Sequence, residues 1–384
     1  MPRVRRRKKR GKKQTDPGKS NPQVQPRLES KASEEVSQEI PKPSSRKKIA
    51  FFWYNLAWHT GARVHDYQFL LSLANLGHKV VSYTNSVPTF LRDYPGHKNV
   101  TWIIKQPLET PTLKDIDLVV ASQGPYLVKA LEIAEQRHIP IWIFSYGPEK
   151  WFYNEMNERL IDENVLISRY KKADLVITSS DYARNKFISW IPDLEMKLEI
   201  LTPYIHFEKF PKDDVPKEQS ITYCGRLVEY KGYKEFLRWG NEFRKKFCPE
   251  LKLNLIAGGL IEERGRWTTQ FSPHDMIDET SKFKIMKSSI AGFVPSKFET
   301  FGLVPGEFLA LGVPCIVLDN QTLKSEYGNE LIYVDHPEGF FNALKKIMSN
   351  GYTCFGLSED KKKALSSQKM KARLKNIIER RLML

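Results

Sequence analysis

Two carboxylates, Glu299 and Glu307, stand with seven residues between them in the run Pro295-Ser296-Lys297-Phe298-Glu299-Thr300-Phe301-Gly302-Leu303-Val304-Pro305-Gly306-Glu307. An apolar run, Ile290 to Val294, precedes this stretch and reads as a buried strand. A second, Pro314 to Leu318, follows it. Between them the pattern predicts a glycine turn and a helix from about Leu303 to Leu311, closed by Gly312 and Pro314. Glu299 then lies on the loop and Glu307 one or two turns into the helix. A carboxylate accepts hydrogen bonds from sugar hydroxyls, and the open amides of Gly302 and Leu303 with the helix dipole attract phosphate oxygens. Upstream, Gly225-Arg226-Leu227-Val228-Glu229-Tyr230-Lys231-Gly232-Tyr233 follows another apolar strand, Ser220 to Tyr223. Gly225 lets the backbone turn close to a ligand, and Arg226 and Lys231 put two cations at the strand's end, suited to a diphosphate. Surface carboxylates and cations on ordinary turns would give the same residues singly. Their order along one chain is what points to a site.

The elements that must hold these groups are strands alternating with helices. Lys48 to Tyr54 reads as a strand, the loop Asn55 to Arg63 follows, and a helix runs from Val64 to Leu76, ended by Gly77 before the strand His78 to Thr84. Strands recur at Val100 to Ile104, Ile116 to Ala121, Ile139 to Phe144, Ala173 to Thr178 and Leu198 to Thr202. A second series begins at Ser220 and continues through Asn254 to Ala257, Ile290 to Val294, Pro314 to Leu318 and Leu331 to Val334. Such alternation predicts doubly wound parallel sheets of an α/β protein. The strand ends at Gln123-Gly124 and Ser145-Tyr146-Gly147-Pro148 fall where such sheets place ligands.

The paired glutamates, with Pro-Ser before them and Gly312-Val313-Pro314 after, together with Gly225-Arg226 and Lys231-Gly232, resemble the signature of retaining GT-B glycosyltransferases of group 1, the family 4-like enzymes. The opening unit, with Leu76-Gly77-His78-Lys79-Val80 at its helix exit, is similar to theirs as well. The resemblance covers about residues 48 to 350 and is strongest in the second half. It implies two Rossmann-like domains facing a cleft: residues 46–205 on the acceptor side and 206–350 for the nucleotide-sugar. A disordered basic tail, 1–45, and a basic C-terminal helix, 351–384, flank them. It implies retaining, metal-independent transfer of a hexose, with a UDP-sugar donor, glucose foremost, as co-substrate and no further cofactor. Arg226, Lys231 and Glu299 are the expected catalytic residues, the cations on the leaving diphosphate and Glu299 on the sugar. Glu307 is expected on the ribose, with Gly225, Gly258, Phe301, Gly302 and Leu303 around the nucleotide. In this family the final helix often crosses back to the first domain.

On the acceptor side the residues leave more open. His59, Gly61 and Arg63 lie on the loop after the first strand, expected to face the cleft for acceptor or phosphate contact, or else to form a plain surface loop. Many relatives carry His-Asp after the strand matched by Ile139 to Phe144, where this chain has Ser145-Tyr146-Gly147-Pro148-Glu149-Lys150. Glu149 or His59 stands in, or the donor phosphate acts as base. Lost catalysis, leaving a nucleotide-sugar-binding protein, is the reading from another class.

Charge bears on the acceptor. The net +16 divides into +9 over residues 1–13, +2 over 14–48 and +5 over the rest. The run Arg5-Arg6-Arg7-Lys8-Lys9-Arg10 suits duplex DNA, an anionic membrane surface or a targeting signal, nuclear targeting included. Residues 1 to 45 carry too little apolar surface to fold. Tyr230 and Tyr233 around Lys231-Gly232, the aromatic and basic stretch Phe236 to Phe247, and the Lys/Ser run Lys284 to Ser289 resemble phage DNA α-glucosyltransferases. That favours a hydroxymethylated base in DNA as acceptor, flipped out of the duplex to be reached. A glycan or lipid-linked saccharide is the alternative. No apolar run approaches a membrane span, and Cys224, Cys248, Cys315 and Cys354 have no metal-ligand spacing, so a cytoplasmic protein with free thiols and no metal site is expected.

Overall fold

The computed structural model describes residues 46–55, 61–87, 94, 96–107, 109, 114–160, 162–257, 272–274, 278–349, 354 and 356–382. The basic tail, His59 and Gly258 lie outside them.

The first sheet is built from β1 (Lys48–Phe52), β2 (Lys79–Thr84), β3 (Val100–Ile104), β4 (Leu118–Ser122), β5 (Ile141–Phe144), β6 (Leu175–Thr178) and β7 (Leu198–Ile200). All neighbours are parallel, in the order β3-β2-β1-β4-β5-β6-β7. Strand β1 shows why an unbroken apolar run is required here. Ile49 and Phe51 enter one core with Trp53, while Ala50 and Phe52 enter the core on the opposite face. A parallel sheet covered on both sides cannot alternate apolar with polar. The second sheet comprises β8 (Glu218–Cys224), β9 (Lys252–Ile256), β10 (Ser272–His274), β11 (Ser289–Val294), β12 (Cys315–Leu318) and β13 (Ile332–Val334), again all parallel, in the order β10-β9-β8-β11-β12-β13.

Strand direction in the order reverses between β1 and β4 in the first sheet and between β8 and β11 in the second. Ligands of doubly wound sheets sit beyond the strand C-termini at such switch points. The segments leaving those four strands are the loop into the helix Gly61–Asn75, the turn at Gln123, the turn at Gly225-Arg226, and Pro295 to Glu299.

The strand expectations differ from the structure only at their ends, by at most two residues. Two elements depart from expectation. The short edge strand β10, Ser272–His274, has no apolar run to announce it. The basic C-terminal segment forms two helices, Glu359–Ala364 and Ser367–Leu382, with Leu365 and Ser366 between. The last helix does cross back. Met370, Leu374, Ile377 and Ile378 are buried in the first half's core with Phe69, Leu70 and Leu73 of the helix Gly61–Asn75. Arg380 and Arg381 close it down by ion pairs to Glu199 at 3.0 and 3.2 Å. Among the described residues no helix is long and apolar enough to cross a membrane, and all four cysteines are free thiols.

Candidate active site

A cavity of about 290 Å³ opens where the C-terminal ends of the two sheets face each other. Its floor belongs to the second half. Strand β8 ends in Cys224 and runs on into Gly225 and Arg226, and β11 ends in Val294, followed by Ser296 and the loop Phe298 to Gly302. Gly302 caps the helix Leu303–Ala310 at φ +87°, a left-handed conformation open to glycine without strain. A Cβ there would come within 2.2 Å of Leu323 Cδ2. The Tyr327 hydroxyl donates to the Gly302 carbonyl (2.8 Å), which fixes the turn. Gly302 has no side chain to cap the first amides of the helix, so its positive end faces the cavity uncovered.

Glu307, one turn on, is 3% exposed. Its Oε1 accepts from Lys282 Nζ at 2.8 Å, and Oε2 has no partner among the described residues. Burial pushes the Glu307 carboxyl above its ordinary range, against the pull of Lys282. Burial works against the charge of Lys282 too, but Glu307 and Glu279 beside it hold its ammonium above the usual value. Glu279 in turn accepts from the Tyr94 hydroxyl of the first half. Lys282 and Glu279 carry no motif. The signal that could have found them is helical spacing, since Glu279 and Lys282 are three apart on the helix Glu279–Ser288 that leads into β11.

Lys231 reaches Glu299: Nζ to Oε1 is 2.7 Å, and Nζ also lies 3.4 Å from the Phe298 carbonyl. Gly232 makes this approach possible. Its φ is +73°, and a Cβ would lie 1.9 Å from the Pro295 carbonyl oxygen. The guanidinium of Arg226 donates to the Tyr230 hydroxyl and sits 5.5 Å from that ring's centre. Arg226, Lys231, Glu299, Phe301, Gly302, Leu303, Glu307 and Gly225, expected from the sequence, all line the cavity.

The first half supplies Gly61, Ala62, Val64, His65, Tyr146, Ser179 and Pro203. Ser180 Oγ donates to the Thr300 carbonyl at 2.9 Å and Ser179 Oγ to the same oxygen at 3.2 Å, so the Glu299 loop is tied to the end of β6. Of the expected acceptor-side residues, Gly61 lines the cavity. Arg63 and Glu149 do not, because each is committed to a buried partner. Arg63 pairs with Asp66 at 2.6 Å, and Asp66 also accepts from Ser122 and from Tyr146 (2.6 Å). Glu149 accepts from the Tyr170 hydroxyl at 2.8 Å. The buried residue that does reach the cavity, His65, was not anticipated. One helical turn past Gly61, it lay hidden inside an apolar helix.

Two doubly wound parallel sheets with a cleft between their C-terminal edges are the GT-B fold of glycosyltransferases. Residues 206–364 match the family described as Glycosyl transferases group 1. Solved structures agree on the fold. Sucrose-phosphate synthase from Thermosynechococcus elongatus is 15% identical at a TM-score of 0.69, over 87% of this chain and 99% of that one. HepE from Anabaena, solved with UDP-glucose, is 13% identical at 0.70, over 87% and 100%. WaaG, a glycosyltransferase of lipopolysaccharide biosynthesis, is 12% identical at 0.63, over 87% and 99%. No curated protein matches the sequence.

The features that resembled phage DNA enzymes have other employment. Phe236, Trp239 and Phe243 point into the second core, where Trp239 stacks on Phe293. Tyr230 packs on Phe152 and Phe298, and Tyr233 leans against that same second core. Lys287 donates to the Pro211 and Asp213 carbonyls.

Proposed function

We propose that the protein transfers a hexose, glucose foremost, from a UDP-sugar to an acceptor hydroxyl with retention of anomeric configuration. The observation that carries this is Glu307 Oε2, buried, unpartnered and on the cavity wall beside the uncapped helix end. A buried polar atom without a partner costs roughly 1–3 kcal/mol, which a ribose hydroxyl at Oε2 would recover. The helix amides, Arg226 and Lys231 then lie on the diphosphate, and Glu299 on the sugar. In this reading the bond between the anomeric carbon and the diphosphate oxygen breaks as the acceptor oxygen approaches. Negative charge grows on the leaving group, where fixed cations and helix amides act most strongly. Glu149 is committed to Tyr170, which leaves the donor phosphate or His59, outside the described residues, as the base in this reading. That UDP-glucose is bound by HepE supports the donor class.

The acceptor reading from charge is a hydroxymethylated base in DNA, with a saccharide at an anionic membrane as rival. The aromatic and lysine features behind the DNA reading are structural here, which leaves it resting on the basic run Arg5 to Arg10, outside the described residues. The test is calorimetry with UDP and UDP-glucose, followed by incubation of the labelled donor with hydroxymethylated DNA, plain DNA and membrane extract. Binding of both ligands with label transfer to one acceptor and an α-linked product is the expected result. Failure to bind either ligand would overturn the proposal. Binding without transfer or donor hydrolysis would make the chain a nucleotide-sugar-binding protein.

A further inference from the structure

His65 is 2% exposed and lies within the helix Gly61–Asn75, one turn from its start. Its ring meets Phe144 of β5 edge-on at 4.7 Å and lies 6.5 Å from Tyr146. It is hydrogen-bonded to the backbone of Leu201, just past β7. Its Nε2 has no partner among the described residues. The bond to Leu201 is therefore made by Nδ1, and since it favours a proton on the ring, the Leu201 carbonyl is its acceptor. That fixes the tautomer and leaves Nε2 a bare lone pair. The ring cannot turn away to find another partner. Phe144 closes one side, and the helix is tied to the segment after β7 through Gln68, whose carboxamide donates to the Tyr204 carbonyl (2.7 Å) and accepts from the Tyr204 amide (3.0 Å).

His65 is also part of the cavity wall. On that wall it lies beside Tyr146, whose carbonyl accepts from Ser179 Oγ, and Ser179 is also bonded to the Thr300 carbonyl in the loop that carries Glu299. An imidazole in so apolar a setting stays neutral, burial lowering its pKa to about 3, so it attracts no anion. What it needs is a neutral donor, and the cavity is lined elsewhere by groups suited to a nucleotide-sugar. The geometry points to His65 as a sugar-positioning residue: its Nε2 accepts a hydrogen bond from one hydroxyl of the transferred hexose, on the face opposite Glu299. This rests on the reading of the cavity as a nucleotide-sugar site.

The consequence is discrimination. A site that accepts from one hydroxyl rejects a sugar lacking it, because its own buried atom is left unpaired. The experiment measures affinity of the full chain for UDP, UDP-glucose and the four UDP-monodeoxyglucoses, in wild type and in His65→Phe, which keeps a ring but no acceptor. Wild type is expected to bind UDP-glucose about tenfold more tightly than one of the four deoxy analogues. In His65→Phe that ratio falls to about one, while UDP affinity is unchanged. A purely structural role for His65 would weaken UDP and all the sugars alike and leave the ratio in place, and that result overturns the inference. A ratio unchanged between the two proteins also overturns it, including the case in which only transfer to an acceptor is lost. If His65→Phe does not fold, the imidazole ¹⁵N resonances of wild type decide. UDP-glucose, and not UDP, must shift a neutral Nε2 signal, and no such shift refutes the assignment. Failure of wild type to bind UDP or UDP-glucose would instead count against the site reading itself.

Discussion

Lys231 and Glu299 meet at 2.7 Å across the cavity floor, with side chains 21% and 12% exposed. In the reading given above the first serves the leaving diphosphate and the second the sugar, so the pair couples the two ends of one bond. Each group weakens the field the other presents until a donor lies between or beside them. Glu299→Gln should therefore bind UDP more tightly, by about 1 kcal/mol or roughly fivefold, because Lys231 loses its competing anion. The same variant should turn over more slowly. Lys231→Ala should lower turnover more than it lowers UDP-glucose affinity, since charge on the diphosphate is greatest in the transition state. Calorimetry beside initial rates checks both, and a Glu299→Gln protein with weaker UDP binding would contradict the pairing argument.

Glu307→Ala removes an acceptor and leaves the partly buried Lys282 with Glu279, at 4.0 Å, as its one remaining carboxylate among the described residues. Donor affinity should fall by roughly 1.5–3 kcal/mol, the worth of a hydrogen bond to a charged group. Stability should fall as well, by about 3 kcal/mol, since breaking a buried pair leaves an uncompensated charge. The double variant Glu307→Ala with Lys282→Met should regain most of the stability and none of the affinity. Chemical denaturation and UDP titration of the two proteins separate these effects.

His65 makes stability depend on acid. Its folded-state pKa of about 3 lies below the ordinary 6.5, so on acidification the unfolded chain binds the proton first. The contribution of the neutral ring is complete above about pH 6.5 and is lost as pH falls toward 3. Between pH 6.5 and 4.5 His65→Phe should lose about 2 kcal/mol less unfolding free energy than wild type. Urea midpoints at the two pH values measure this, and equal losses in both proteins would be inconsistent with a buried neutral imidazole.

Gly232→Ala should disable the site through the backbone. The new methyl would meet the Pro295 carbonyl oxygen at 1.9 Å at a φ of +73°, so Lys231 or the β11 exit must move. Gly312 is the natural control, with φ +69° and nothing within 4 Å of the place a methyl would occupy. Gly312→Ala should cost only the left-handed backbone, roughly 1–2 kcal/mol, and keep its turnover once folded. Thermal melts and rates of both variants test the comparison. Equal activity in the two would show that Gly232 does not set the position of Lys231.

Where the candidate site coincided with local backbone demands, its position was legible in the sequence. Gly225, Gly232 and Gly302 mark turns that strand and helix periods already require, and the charged residues beside them inherit the positions of those turns. The two sheets were legible for the same reason, since strands buried on both faces leave unbroken apolar runs such as Ile290 to Val294 and Leu118 to Ala121. Pairings made only in three dimensions were not. Arg63 looked free to serve a ligand because the acid it pairs with, Asp66, is itself held by Ser122 and Tyr146 from two other segments. Glu149 turned inward to Tyr170 for a like reason. Trp239 and Phe243, beside lysines and arginines in the chain, belonged to the stretch that resembled DNA enzymes. The helix turns those aromatics to one side and its cations to the other.

The return of the last helix to the first sheet has a bearing on how the protein is made. Ser72 and Met370, in contact through the Met370 sulfur, are 298 residues apart in sequence. At roughly 5–20 residues per second, synthesis of the intervening chain takes on the order of 15–60 seconds. Throughout that interval Phe69, Leu70 and Leu73 have no covering helix, and the first domain waits on the ribosome with an open apolar seam. It cannot be finished before the second half has emerged, so the two halves reach maturity together, with the helix Ser367–Leu382 as the clasp.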